Sequence, residues 1–261
     1  MLNKFRKFFG YKFPRLGPTL NKLFFKLIND EVKCEIFPNI WSRLNLKDLT
    51  QQSTFWMGDR FEFPTPQILR SWTSGGGGSE IFFDIGSNYG FYSFLMSSSF
   101  NNIKCYSFEP NPKTFQILSN IVIFNKLVEK IFPFNIGLGN KEEVLSLHPG
   151  VQDSGHSTFL PHPDFKDTSI GEIGIETFDN WRIKNNIELP QTPKWIAKID
   201  VEGFELNVLK GMEKSLKAKA FIGISIEILE HTLALNKNKP SEIEDYLISV
   251  GYMKLSDKDI L

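Results

Sequence analysis

Phe83-Asp84-Ile85-Gly86-Ser87-Asn88-Tyr89-Gly90 is the stretch on which the reading of the fold turns. Ile81 to Ile85 is a short apolar run of strand length, and Phe91 to Met96 opens a helical pattern directly after it. Between them Gly86 and Gly90 punctuate a strand-to-helix turn, with Ser87 and Asn88 inside it. Glycines there let a ligand approach the backbone closely, and the first N–H groups of the helix are donors without partners in the helix itself. Doubly wound folds bind nucleotides at this kind of turn.

The spacing is Gly-x-x-x-Gly, not the Gly-x-Gly-x-x-Gly that cradles a pyrophosphate. Asp84 at the mouth of the turn would repel a pyrophosphate by roughly 4 kcal/mol per close charge pair. The same carboxylate would attract a ligand that carries an ammonium and a sulfonium, which describes S-adenosylmethionine. Glu109 ends the next strand, Lys104 to Phe108, about 20 residues past the glycines, where a carboxylate accepts ribose hydroxyl hydrogens. Asp84, Gly86, Ser87, Asn88, Gly90 and Glu109 are therefore the expected cofactor-binding set. Asn135 and Ile136, ending a third strand that starts at Ile131, are expected to flank the adenine.

Working outward, strands and helices alternate: a helix from Pro112 to Asn125, a strand from Trp195 to Ile199, a helix from Phe204 to Leu216, a strand from Ala220 to Ile228 and a helix from Ser241 to Val250. That order predicts an α/β domain over residues 76–261, a mostly parallel sheet with helices on both faces. Val144 to Leu147 reads as an edge hairpin and residues 149–172 as one long loop. Residues 1–75 are rich in Phe, Lys and Pro, lack the alternation, and are expected to be a separate, mainly helical region, with Gly75 to Gly78 as the connector. Residues 1–30 carry seven Lys or Arg against the single acid Asp30. Apolar residues recur among them at helical spacing, as basic amphipathic helices do when they touch a membrane surface or pack on their own domain.

Thirty basic residues balance thirty acidic ones across the 261, which removes the electrostatic case for nucleic acid. Cys34 and Cys105 cannot form a disulfide framework and sit in no zinc spacing, so a cytoplasmic, reducing setting is expected. No apolar run approaches the roughly 18 residues of a membrane span.

Lys198-Ile199-Asp200-Val201-Glu202-Gly203-Phe204-Glu205, with Val208-Leu209-Lys210-Gly211, Phe108-Glu109-Pro110-Asn111 and Ile224-Ser225-Ile226-Glu227, adds specificity to the glycine turn. With these blocks residues 80–255 resemble the FkbM family of S-adenosylmethionine-dependent methyltransferases. The resemblance implies a class I methyltransferase sheet and O-methylation of a hydroxyl on a sugar, glycan or natural product.

An alcohol is a poor nucleophile at neutral pH, so a base or a metal ion must assist. Asp200, ending the fourth strand at the carboxyl edge, is the expected base or acceptor-positioning group and also a cofactor neighbour. Glu202 either joins it as a Mg²⁺ ligand or caps the following helix. His156, in the long loop, is a second catalytic candidate. Glu227 ends its strand at the same edge, and Phe165, Phe178 and Trp181 are candidates for stacking on a sugar. The competing function is a non-catalytic Rossmann-like binding module that works through its basic N-terminal helices.

Overall fold

The computed structural model describes residues 31–74, 81–149, 157–159 and 168–255. The basic segment 1–30, the glycine connector, His156 and Phe165 lie outside the described residues.

Five strands form the central sheet: β3 (Ile81–Ile85), β4 (Lys104–Phe108), β5 (Ile131–Phe134), β9 (Trp195–Ile199) and β10 (Phe221–Ile226). Their spatial order is β10-β9-β3-β4-β5, and every pairing is parallel. The chain builds outward from β3 to β5 on one side, then returns to lay β9 and β10 on the other. The reversal beside β3 opens a crevice at the carboxyl ends of β3 and β9. Burial on both faces explains why β9 reads as an almost unbroken apolar run and is buried throughout.

Helix α3 (Phe91–Ser99) and helix α4 (Pro112–Phe124) cover one face. Asn111 caps α4 by accepting from the Lys113 N–H at 3.1 Å, and Pro112 at the first helical position needs no donor. The other face holds α5 (Phe178–Lys184), α6 (Glu205–Gly211) and α9 (Pro240–Ser249). At its centre Phe83 meets Phe178, Trp195 and Tyr106 with ring centroids 4.8, 5.2 and 5.6 Å apart. Burying such a ring stabilises by about 1.5–3 kcal/mol. The expectation that Phe178 and Trp181 stack on a sugar is corrected here: both are core residues, 0% and 2% exposed.

Of the region before residue 76 expected to be mainly helical, residues 31–74 are described, and they hold a hairpin as well as two α-helices. Residues 31–45 form an antiparallel hairpin, β1 (Glu31–Phe37) and β2 (Ile40–Asn45), turning at Pro38 and Asn39. Val32, Cys34, Ile36, Ile40 and Leu44 point inward and Glu31, Lys33, Trp41, Arg43 and Asn45 outward, the period of two that a half-buried strand requires, with Phe37 also buried past a register shift. Helices α1 (Leu49–Met57) and α2 (Thr65–Ser74) follow. The hairpin shares one hydrophobic cluster with Phe82, Phe94 and Leu118, so residues 31–74 are packed onto the sheet rather than standing apart from it.

Val144 to Leu147 does lie at an edge, in β7 (Glu143–Leu147), which pairs antiparallel with β8 (Gly171–Glu176). β8 also takes the short β6 (Gly137–Leu138) in parallel, giving a small second sheet. The expected helix from Phe204 to Leu216 divides at Met212 into α6 and α7 (Glu213–Lys217), and α8 (Glu230–Leu235) precedes α9. No helix among the described residues is long and apolar enough to cross a membrane.

Candidate active site

The cleft at the carboxyl edge is lined by Ile85, Gly86 and Asn88 from the glycine turn, Phe108, Glu109 and Pro110 from the end of β4, Ile136, Gly137 and Leu138 after β5, and Asp200, Val201 and Glu202 after β9. Ser157 and Phe159 reach it from the far side. Thr158 exchanges both backbone bonds with His148, at 2.8 and 3.0 Å, and its hydroxyl donates to the Glu202 carbonyl at 3.0 Å.

Gly86 has φ +79°, and its Cα lies so close to the next loop that an added Cβ would stand 1.7 Å from the Asp200 carbonyl oxygen. Only glycine lets β3 and β9 turn away side by side here. Gly90 has φ +95° and lies under Leu118 and Phe94, so it serves helix packing rather than the cleft.

Glu109 is 5% exposed. One carboxylate oxygen accepts from the Asn88 N–H at 2.7 Å and the other from the Asn111 N–H at 2.8 Å. Asn135 stands behind it, its side-chain amide donating to the Glu109 and Pro110 carbonyls at 2.8 and 3.0 Å. Asn135 thus shapes the loop and does not line the cleft, whereas Ile136 does. Burial, reinforced by the charges of Asp84 and Asp200, pushes the Glu109 carboxyl up to about 8 despite the two N–H donors.

Asp84 departs from expectation. It is 2% exposed and does not line the cleft. Its Oδ2 accepts from the Ser93 N–H at 2.9 Å and the Ser93 hydroxyl at 2.6 Å, and that hydroxyl also meets Ser107 Oγ at 2.7 Å. Ser93 is the third residue of α3, whose capping position is Gly90 and has no side chain to offer, so Asp84 supplies the missing cap from the neighbouring strand. Burial raises its carboxyl to about 6, with Ser93 and Lys198 pulling the other way. The acidic residues that line the cleft are Glu109, Asp200 and Glu202.

Lys198 was not singled out by the sequence reading. It sits in a fully buried strand, opposite Asp84 in the β3–β9 register, and is 3% exposed. Its ammonium reaches Asp200 Oδ2 at 2.7 Å and Glu227 Oε2 at 3.3 Å and lies 5.0 Å from the centre of the Tyr92 ring. Burial opposes the ammonium, but Asp200, Glu62 and Glu227 outweigh it and hold Lys198 above the ordinary lysine range. The available signal was the charge itself, since a lysine inside an otherwise apolar central strand must find partners.

Glu202, offered as either metal ligand or cap, lines the cleft, and its carbonyl accepts from the Thr158 hydroxyl. The capping position of α6, Phe204, carries no side-chain cap bond, and Glu205 Oε1 accepts from the Gly203 N–H just before the helix at 3.0 Å. No group of three or more His, Cys, Asp or Glu among the described residues is gathered to hold a metal ion, and the Lys198 ammonium occupies the space between Asp200 and Glu227. Mg²⁺ does not fit this donor set.

S-adenosylmethionine fits better. Ser87 Oγ and Asn88 Oδ1 are buried at the turn with no hydrogen-bond partner. Each Glu109 oxygen holds one backbone donor and has a lone pair left for a ribose hydroxyl.

A parallel sheet of this order, a glycine turn after its middle strand and an acid after the next are shared by Rossmann-like nucleotide-binding folds, class I methyltransferases among them. The family model of the methyltransferase FkbM domain matches residues 84–253, and the chain belongs to that family. It is similar to the hexuronic acid methyltransferase AglP of Haloferax volcanii, 29% identical over 147 residues that make up 56% of this chain and 56% of the relative. It is also similar to the methyltransferase sdnD of Sordaria araneosa, at 27% identity over 154 residues, 50% of this chain and 60% of that one. The match thus spans little more than half the length of these relatives. An FkbM methyltransferase from Methylobacillus flagellatus superposes with a TM-score of 0.45 at 15% identity, covering 94% of this chain and 56% of that one.

Glu109 gives the candidate site a pH signature. Ribose hydroxyls donating to the carboxylate favour its charged form, so ligand binding lowers a pKa that starts at about 8. Binding of S-adenosylhomocysteine is therefore expected to release part of a proton at pH 7, and affinity should rise by up to about tenfold per pH unit before levelling off above pH 8. Calorimetry in phosphate and in Tris measures the release as a difference in apparent enthalpy. Equal enthalpies in the two buffers would contradict it, and Glu109→Gln should abolish it.

Proposed function

We propose that the chain transfers the methyl group of S-adenosylmethionine to a hydroxyl of a sugar, glycan or natural-product acceptor. The observation that carries this reading is Glu109, fixed by the Asn88 and Asn111 N–H groups beside the glycine turn, with unpartnered Asn88 Oδ1 near it. When bound, the donor supplies an electrophilic methyl carbon on a sulfonium. Glu109 and the glycine turn orient it, and Asp200, which shares the cleft and is held by Lys198, stands where the two reactants meet. Asp84 contributes from behind by fixing the first turn of α3. Positioning of this kind can supply several kcal/mol of the barrier reduction.

The hexuronic acid named for one relative supports a carbohydrate acceptor. Asn-Pro-Pro-Tyr, the signature of many amino-group methyltransferases, is missing after Asp200, and the balanced net charge offers no nucleic-acid footprint. Both cysteines are buried, with no disulfide between them. Calorimetry with S-adenosylhomocysteine tests the donor half, and labelling of glycan and small-molecule extracts with radioactive methyl donor tests the acceptor half. A protein that binds no S-adenosylhomocysteine ends this reading.

A further inference from the structure

The acceptor must enter beside Asp200, and the groups around it come from three separate parts of the chain. Lys198 on β9 reaches both Asp200 and Glu227, the latter being the first residue after β10. The Glu227 N–H donates to the Ile199 carbonyl at 2.9 Å, and the Asp200 N–H donates to the Ile85 carbonyl at 2.9 Å, so the two acids stand level at the edge of adjacent strands. Glu62 arrives from the segment before α2, accepts the Tyr92 hydroxyl, and bears electrostatically on both Lys198 and Glu227.

These carboxylates are not equivalent. Asp200 is held tightly by the ammonium, at 2.7 Å, and it faces the cofactor cleft. Glu227 touches the same ammonium at 3.3 Å, its side chain is 38% exposed, and it does not line that cleft. An acceptor must present its hydroxyl from the side away from the donor, because methyl transfer is an in-line displacement. We propose that Glu227, steered by Lys198 and flanked by Asp200 and Glu62, takes the proton from the acceptor hydroxyl. The inference rests on the reading of the chain as an O-methyltransferase that uses S-adenosylmethionine.

The balance is simple. The acceptor oxygen gains its bond to the methyl carbon while the carbon–sulfur bond breaks and leaves its electron pair on sulfur. The hydroxyl proton passes to a Glu227 oxygen and then to water. Desolvation, with the like charges of Asp200 and Glu62 against the opposite charge of Lys198, brings Glu227 to about 7, near the optimum for such a base at neutral pH. Lys198 is a positioning residue, because it acts through the two acids it holds.

The test uses the full chain with Glu227→Gln, Glu227→Asp and Glu62→Gln. Label from methyl-labelled S-adenosylmethionine is followed into a glycan extract, and S-adenosylhomocysteine affinity is measured separately. Glu227→Gln is expected to lose about 10²- to 10⁴-fold in labelling rate. Its S-adenosylhomocysteine affinity should stay within threefold of wild type, with Glu227→Asp retaining part of the rate. Carbon-13 NMR of labelled glutamate carboxyls supplies a readout without turnover: besides Glu109 at about 8, a second resonance should titrate at about 7, vanish in Glu227→Gln, and titrate lower in Glu62→Gln, where a like charge has gone. Labelling by Glu227→Gln within threefold of wild type overturns the proposal, as it would for an acceptor carboxylate that needs no base. An ordinary glutamate titration at Glu227 overturns it too. A wild-type protein that fails to bind S-adenosylhomocysteine, or binds it and labels nothing, instead defeats the underlying O-methyltransferase reading.

Discussion

Gly86→Ala is expected to lower S-adenosylhomocysteine affinity by at least about 100-fold, or about 2.7 kcal/mol, and to destabilise the fold as well. The new Cβ would lie 1.7 Å from the Asp200 carbonyl oxygen and 2.7 Å from its carbon, and these are backbone atoms that cannot rotate aside. The loop that would have to retreat is tied to β3 by the Asp200 N–H on Ile85, and Gly86 itself is tied to β4 by its N–H on Phe108 at 3.0 Å. Strain in the left-handed region costs about 1–2 kcal/mol for alanine, and overpacking typically adds about 1–3 kcal/mol. Urea unfolding should therefore show a loss of about 2–5 kcal/mol, on those same two contributions. Gly174→Ala is the control, since a Cβ there meets nothing within 4 Å and its φ is not in that region. Binding by Gly86→Ala within threefold of wild type would show that the turn does not set the cleft.

Glu109→Ala should cost about 10²- to 10⁴-fold in S-adenosylhomocysteine affinity, because two charge-assisted hydrogen bonds at about 1.5–3 kcal/mol each are at stake. Stability should move the other way with pH. A carboxyl raised from its ordinary value to about 8 in the folded chain gives stability that is complete below the unfolded value and lost as pH climbs through the folded one. Glu109→Ala lacks that loss, so its unfolding free energy should gain on wild type between pH 5 and pH 8. Calorimetry reads the first effect and urea titrations at the two pH values read the second. A constant difference in stability across that range would mean that the buried carboxyl is not titrating.

The parallel sheet was legible because burial on both faces forces continuous apolar runs, and Trp195 to Ile199 and Ile81 to Ile85 are such runs. Glu109 and Asp200 were legible for a related reason: an acid directly after a strand in this fold must stand at the carboxyl edge. The hairpin over residues 31–45 carries a clean alternation of its own, yet the aromatic and basic composition around it masks the period. Phe178 and Trp181 could not be assigned from sequence, since an aromatic residue reads the same whether it faces a sugar or the core.

Sequence alone determined the order of the central strands and the helices between them, the position of the glycine turn and the acids that follow β4 and β9, because each depends on residues close together in the chain. Asp84 as the cap of α3, Lys198 between Asp200 and Glu227, and Glu62 brought in from before α2 were decided only by the tertiary structure. Those placements depend on which strands pair and on which side chains share a face, and a buried charge is settled by partners that can lie more than a hundred residues away along the chain, as Glu62 does from Lys198.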